Sequence, residues 1–163
     1  MDRAGAIALL ILLAAAIVPV LRTYLRNARI RNDFDYAMQV VAKEAVKRAR
    51  TDYGVDLDYS PDSIERLDAM LETIHQAYSK NPLSESELIL HTLQWGAYIG
   101  ESLRKLHPGK WQRDSEKVGP GTMPFMYHSG EQAFPRSWVN KRIVDGPFDS
   151  VVSKFYVFPT RLT

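Results

Sequence analysis

From Ala4 to Leu21 every residue of the chain is apolar, glycine or proline, and no later stretch constrains the fold as strongly. An α-helix of that length covers about 27 Å at the fixed helical rise, close to the roughly 30 Å of hydrocarbon in a bilayer. The run is therefore expected to form an N-terminal transmembrane helix. Pro19 is tolerated there because it removes a hydrogen bond only in the last turns, where interfacial water can replace it. A cleaved signal peptide is the competing reading, since Ala14, Ala15 and Ala16 offer small residues to a peptidase. The single arginine and single aspartate before the run, and its length, favour the anchor.

The flanks set an expected orientation. Arg22, Arg26, Arg29 and Arg31 follow the run, and only Arg3 and the free amine precede it. The positive-inside rule then places the N-terminus outside the inner membrane and the C-terminal body in the cytoplasm; a periplasmic domain behind a signal anchor is the alternative. Tyr24 among these arginines suits a membrane interface, and the arginines can hold anionic lipid headgroups at roughly 1 kcal/mol per charge. The expected organisation is an anchor with a basic flank over 1–31 and a cytoplasmic α+β domain over 32–163.

With 163 residues the chain has room for one globular domain of ordinary size. Its formal charge of +2, with both signs interleaved, lacks the basic footprint of a nucleic-acid binder. The absence of cysteine removes disulfides, thiolate metal sites and thiol nucleophiles together.

After the anchor, Phe34, Ala37, Val41, Ala45 and Val46 share one face of a helix from about Asn32 to Tyr53, which Gly54 ends. Ser60 caps a second helix with Pro61 in its first turn, Asp62 beside the positive helix end, and an apolar face of Ile64, Leu67, Leu71, Ile74 and Tyr78. Asn81-Pro82 stops it. A third helix opens on Ser84 and Glu87, which have capping-box spacing, and runs to about Leu106. Apolar or small residues take almost every turn position between Leu88 and Leu103, so this helix is expected to be the centre of the domain. Gly96 and Gly100 each cost it about 1 kcal/mol against alanine. They lie one turn apart on one face, where their lack of a side chain lets a neighbour approach closely.

Beyond Gly109, KWQRD, TMPFMYHS and EQAF predict two or three short strands with a hairpin near residue 130. The tail predicts a helical turn over 136–144, a break at Asp145-Gly146-Pro147 and a helix over 149–156, although SVVSKFYVF would also make a strand. The fold expected from these pieces is α+β: the N-terminal transmembrane helix, then about three to five helices and a short antiparallel sheet.

Chemistry-bearing patterns are few. Glu72 with His75, and Glu87 with His91, have spacings that could ligate a metal between two helices. Such bundles need more inward glutamates than this chain places, and Glu87 is engaged by the cap, so no metal or cofactor is expected. Glu101 stands on the most apolar helix, where burial would raise its pKa and suit it to act as a general base, but an ion pair with Arg104, Lys105, Lys141 or Arg142 is the favoured reading. His107 and His128 fall in turns. No Ser-His-Asp order, glycine-rich phosphate loop or paired-acid motif occurs. Trp111, Trp138, Phe125, Tyr127 and Phe134 gather in the β part, as sheet core or as interface.

GAYIGESLRK, the following GKW and FPRSWVNKRIVDG together resemble a pattern in uncharacterised bacterial proteins of the domain-of-unknown-function type. That pattern combines a GxxxGE helix, a nearby Trp and a P…VxKR…G segment, over residues 60–156. The resemblance implies a small α+β fold and a structural pairing of Glu101 with Lys141 or Arg142, and it implies no reaction. The function expected from all this is that of a non-enzymatic, single-span accessory subunit of a larger bacterial membrane complex, respiratory or photosynthetic, with integral membrane subunits as partners. An immunity or regulatory protein with a soluble partner, and a hydrolase using Glu101, are the alternatives.

Overall fold

A computed structural model of the chain describes Pro19 and residues 21–160, without the side chains of 158–160. Residues 21–32 form the helix α1. α2 (Phe34–Tyr53), α3 (Pro61–Lys80) and α4 (Glu85–Leu106) follow, then the strands β1 (Gly109–Trp111), β2 (Phe125–Tyr127) and β3 (Gln132–Ala133), then α5 (Pro135–Val144), a 3-10 turn at Pro147–Asp149, and α6 (Val151–Thr160).

Among the described residues no helix is long and apolar enough to cross a membrane. That finding overturns the transmembrane helix of the expected fold, and with it the single-pass inner-membrane placement with its cytoplasmic or periplasmic body. α1 carries Arg22, Arg26, Arg29 and Arg31, all exposed, which were expected to flank the span. Residues 4–18 and Val20, on which that expectation rested, lie outside the described residues. The expected α+β class is corrected too. The protein is mostly helical, and its sheet is a small antiparallel meander in the order β1-β2-β3. SVVSKFYVF, which could have supplied another strand, lies in and just before α6.

Local chemistry accounts for the helix ends. Asp33 accepts the Tyr36 N–H at 2.9 Å, and Gly54 closes α2 in the left-handed region at φ 68. Ser60 accepts the Ser63 N–H, with a proline in the first turn of α3. Ser84 and Glu87 exchange both bonds of the capping box, satisfying two otherwise orphaned N–H groups at the start of α4.

α4 is the centre of the molecule. α2 and α5 pack on it, α3 packs on α5, and α6 touches α3, α4 and α5. Trp95, Ala97, Tyr98, Ile99 and Leu103 of α4 are buried. α2 meets this core through Met38, Ala42, Ala45 and Ala49, a stripe rotated from the expected Phe34, Ala37, Val41, Ala45 and Val46 face. Alanines let two helices approach closely, whereas Val41 and Val46 are left partly buried at the edge. The sheet stands beside this core with Trp111 opposite Phe125 and Phe125 opposite Ala133. Phe125 and Tyr127 point inward and Met126 alternates with them.

Candidate functional site

The glycines of α4 receive two different neighbours. A Cβ on Gly96 would lie 2.9 Å from the Cα of Arg136, so this position admits the backbone of the first turn of α5. A Cβ on Gly100 would lie 2.0 Å from Cζ2 of Trp111, so the indole packs directly against the helix there.

Glu101, the next residue, holds that indole in place. Its Oε1 accepts the Trp111 Nε1–H at 2.8 Å and the Arg104 Nη2–H at 3.1 Å. Arg104 also donates to the Gly109 carbonyl at 2.7 Å and pairs with Asp35, whose Oδ1 accepts the Trp111 backbone N–H at 2.7 Å. Helices α2 and α4 are thereby strapped to β1 by one charged network. The partners of Glu101 are a guanidinium and an indole, neither of which is a nucleophile. Tyr59 lines the same small recess of about 260 Å³. Burial first, then Tyr98 and Glu101, push its pKa to about 12, so it stays a phenol at neutral pH.

Lys141 and Arg142 lie elsewhere. Arg142 is 2 % exposed and pairs with Asp68 at 3.3 Å and Glu72 at 2.7 Å on α3. Asp68 in turn accepts the Val151 N–H at 2.8 Å and the Ser150 hydroxyl at 3.1 Å, which ties the start of α6 to α3. Sequence reasoning missed this joint. The available signal was the pair Asp68 and Glu72, one turn apart and flanking the Ile64, Leu67, Leu71 stripe, where a carboxylate needs a cation across the interface.

The four candidate metal ligands are not brought together. Glu72 is with Arg142, Glu87 is in the cap, and His75 sits with Nδ1 2.8 Å from the Ile143 carbonyl. Among the described residues no group of His, Cys, Asp and Glu has a metal-holding arrangement. His91 is buried and accepts the Trp95 indole N–H at 3.1 Å. Burial, helped by Arg48, lowers its pKa from the ordinary 6.5, with Glu87 opposing. The unfolded chain therefore binds the proton first, so stability should fall as pH drops below 6.5 toward the folded value. Urea midpoints at pH 7.5 and 5.5 should differ less in His91→Gln than in the wild type; an equal difference would assign the loss to other groups. His107 caps the end of α4 and lies edge-on to Tyr127 at 6.3 Å, and His128 is exposed.

The aromatic cluster is core in the main: Trp111, Phe125 and Tyr127 are nearly or fully buried and Trp138 is 8 % exposed. Phe134 and Trp138 also line a surface groove of about 810 Å³ bounded by α4, the loop after β1, α5 and α6. Its apolar floor is Phe134, Trp138 and Val157, with Val118 on the loop. Its charged lining residues are Arg136, Lys141 and Lys154, with no acid among them. Lys154 is neutralised by Asp149 at 2.8 Å. Arg136 and Lys141 form no ion pair among the described residues. Among the described residues the side-chain hydrogen bonds of Arg136, to Thr92, Gly121 and Met123, are all 3.4–3.5 Å long and are made by Nε and Nη1. Arg22, Tyr24 and Arg26 stand exposed on α1, and Arg29 pairs with Asp33 and lies 3.9 Å over the Tyr36 ring.

No family model matches the sequence, and no curated protein or solved structure matches it either.

Proposed function

We propose that the protein is a non-enzymatic binding module, an accessory or regulatory component of a larger assembly, and that the groove beside α5 and α6 is its working surface. One observation carries this reading: the groove is lined by the apolar Phe134, Trp138 and Val157 together with Arg136 and Lys141, which form no ion pair among the described residues, and no acidic residue is among its lining residues. A ligand that brings negative charge on an apolar body complements both properties at once. The apolar part leaves water, and the anion replaces the weak, long contacts of the Arg136 guanidinium with charge-assisted ones. The engagement of Glu101 by Trp111 and Arg104 supports binding over hydrolysis, because a carboxylate already holding two elements together has no free proton-accepting role.

The test is a chemical-shift titration of the full chain with 8-anilinonaphthalene-1-sulfonate, an anion on an apolar body. Shifts should be confined to residues of the groove, the Trp138 indole included. Arg136→Glu/Lys141→Glu should weaken the affinity about tenfold or more, the equivalent of one lost charge contact. Shifts scattered over the surface, or unchanged affinity in the double variant, would remove the groove as the site.

A further inference from the structure

We infer that α1 is a lipid-binding element that lies along the surface of an anionic phospholipid bilayer, with Leu21, Tyr24, Leu25 and Ala28 at the headgroup boundary and its arginines on lipid phosphates. The inference is independent of the groove.

α1 leaves large apolar side chains in water. Leu21 is 51 % exposed, Tyr24 64 % and Leu25 57 %. Their grouping is what matters, because contiguous exposed apolar surface marks an interaction site where scattered single residues do not. Successive helical residues turn by 100°, so Leu21, Tyr24, Leu25 and Ala28 share an arc of about 100°. Arg22, Arg26 and Arg29 border that arc on the Leu25 side, and Arg31 borders it on the Tyr24 side. Thr23 and Asn27 lie opposite, with the half-buried Ile30.

Charge selects the partner. From Arg3 to Asn32 the sequence holds no acidic residue. Arg29 pairs with Asp33 at 3.5 Å, whereas Arg22, Arg26 and Arg31 form no ion pair among the described residues. Arginines on both edges of an apolar arc match a bilayer surface: their stems follow the apolar side while the guanidiniums reach phosphates on either flank. Tyr24 suits the same depth, with its ring at the boundary and its hydroxyl in water. An acidic protein would meet the arginines, but it would also have to shape an apolar face to fit between them. A bilayer needs no such fit. The chain ahead of α1 favours lipid as well. Residues 4–18 are all apolar or glycine, and a medium that accepts the apolar arc also accepts a run that ends within a turn of Leu21.

Length fixes the mode of binding. The twelve residues 21–32 cover about 18 Å at the helical rise, short of the roughly 30 Å of hydrocarbon. α1 therefore lies on the surface and does not cross it. Asp33, extended at φ -121 and ψ 97, separates it from α2, so the surface helix and the body are distinct elements.

The experiment exploits the absence of cysteine from the chain. Full chains with a single cysteine at Leu21, Thr23, Tyr24, Leu25, Asn27 or Ala28 carry a nitroxide, and its accessibility to oxygen and to a water-soluble nickel chelate is measured by electron paramagnetic resonance. On vesicles of phosphatidylglycerol and phosphatidylcholine, labels at 21, 24, 25 and 28 should favour oxygen and labels at 23 and 27 the chelate. On phosphatidylcholine alone this contrast should be lost. Arg22→Gln/Arg26→Gln, with the label at 25, should need about tenfold or more additional anionic lipid for the same immersion. Oxygen preference at all six positions would overturn the surface placement, because α1 would then be surrounded by lipid. Chelate preference at all six would overturn lipid binding; immobilisation of those labels by polyglutamate instead would replace the bilayer with an acidic protein. An equal contrast on phosphatidylcholine alone would overturn the role of the arginines.

Discussion

Gly100→Leu is expected to cost about 3 kcal/mol or more, at or beyond the upper end of what overpacking a dense interior usually costs. The reason lies in the first atom added: even the Cβ of alanine would stand 2.0 Å from Cζ2 and 2.5 Å from Cη2 of Trp111. The indole cannot turn aside cheaply. Its Nε1–H is held by Glu101 and its backbone N–H by Asp35, so moving the ring breaks bonds at both ends of the strap between α2, α4 and β1. Gly100→Ala should therefore destabilise strongly as well. Gly96→Ala, with a 2.9 Å approach to a backbone atom of α5, should be milder because the whole of α5 can shift by tenths of an ångström. Urea unfolding of the three variants measures this order. A Gly100→Ala protein with the wild-type midpoint would mean that the indole does not lie over this helix turn.

Arg142→Ala should cost about 3 kcal/mol, the lower end of the range for breaking a buried ion pair. Arg142 is 2 % exposed, and its removal leaves Asp68 without a counter-charge at a helix interface. The lower end applies because Asp68 keeps the Val151 N–H and the Ser150 hydroxyl, and Glu72 is partly in water. The arginine is itself imperfectly satisfied, since its Nη1 has no hydrogen-bond partner among the described residues. Replacing it together with Asp68 should for that reason cost less than the sum of the single changes. A pH signature separates this joint from mere packing. The Arg142 hydrogen bond, above all, lowers the pKa of Glu72 below its ordinary 4.5. A depressed carboxylate contributes stability above its unfolded pKa and loses it as pH falls through the folded one. The acid loss of stability below 4.5 should be shallower in Arg142→Ala than in the wild type. An identical acid limb in both proteins would rule out the ion pair as the source of the effect.

Both joints bear on the groove. Asp68 anchors the start of α6, and Gly96 admits the start of α5. Two walls of the proposed binding surface are thus set by contacts on their far sides, and variants at Asp68 should affect ligand affinity as well as stability.

The sequence by itself determined where the helices begin and end. Ser60 before Pro61, Ser84 three residues before Glu87, and Gly54 after Tyr53 act within one turn of chain, so their effect needs no tertiary partner. It also determined that the helix from Ser84 lies at the centre, because apolar or small residues occupy nearly every turn position, although its first turns leave Ile89 and Leu90 exposed. Tertiary structure decided what those elements meet. Whether α2 buries Val41 and Val46 or its alanine stripe depends on the shape of α4, whose two glycines serve two unlike neighbours, a helix backbone and an indole. Glu101 had four cations within reach of any sequence argument, and only the packing of β1 selects Arg104 and adds the Trp111 N–H. Arg142 and Lys141 are adjacent in the chain, yet the 100° turn between successive helical residues sends one to Asp68 and Glu72 and the other to the groove. The groove brings Thr92, Val118, Arg136 and Val157 to one place. No periodicity links residues so far apart, because side chains on separate elements become neighbours only when the core beneath them has packed.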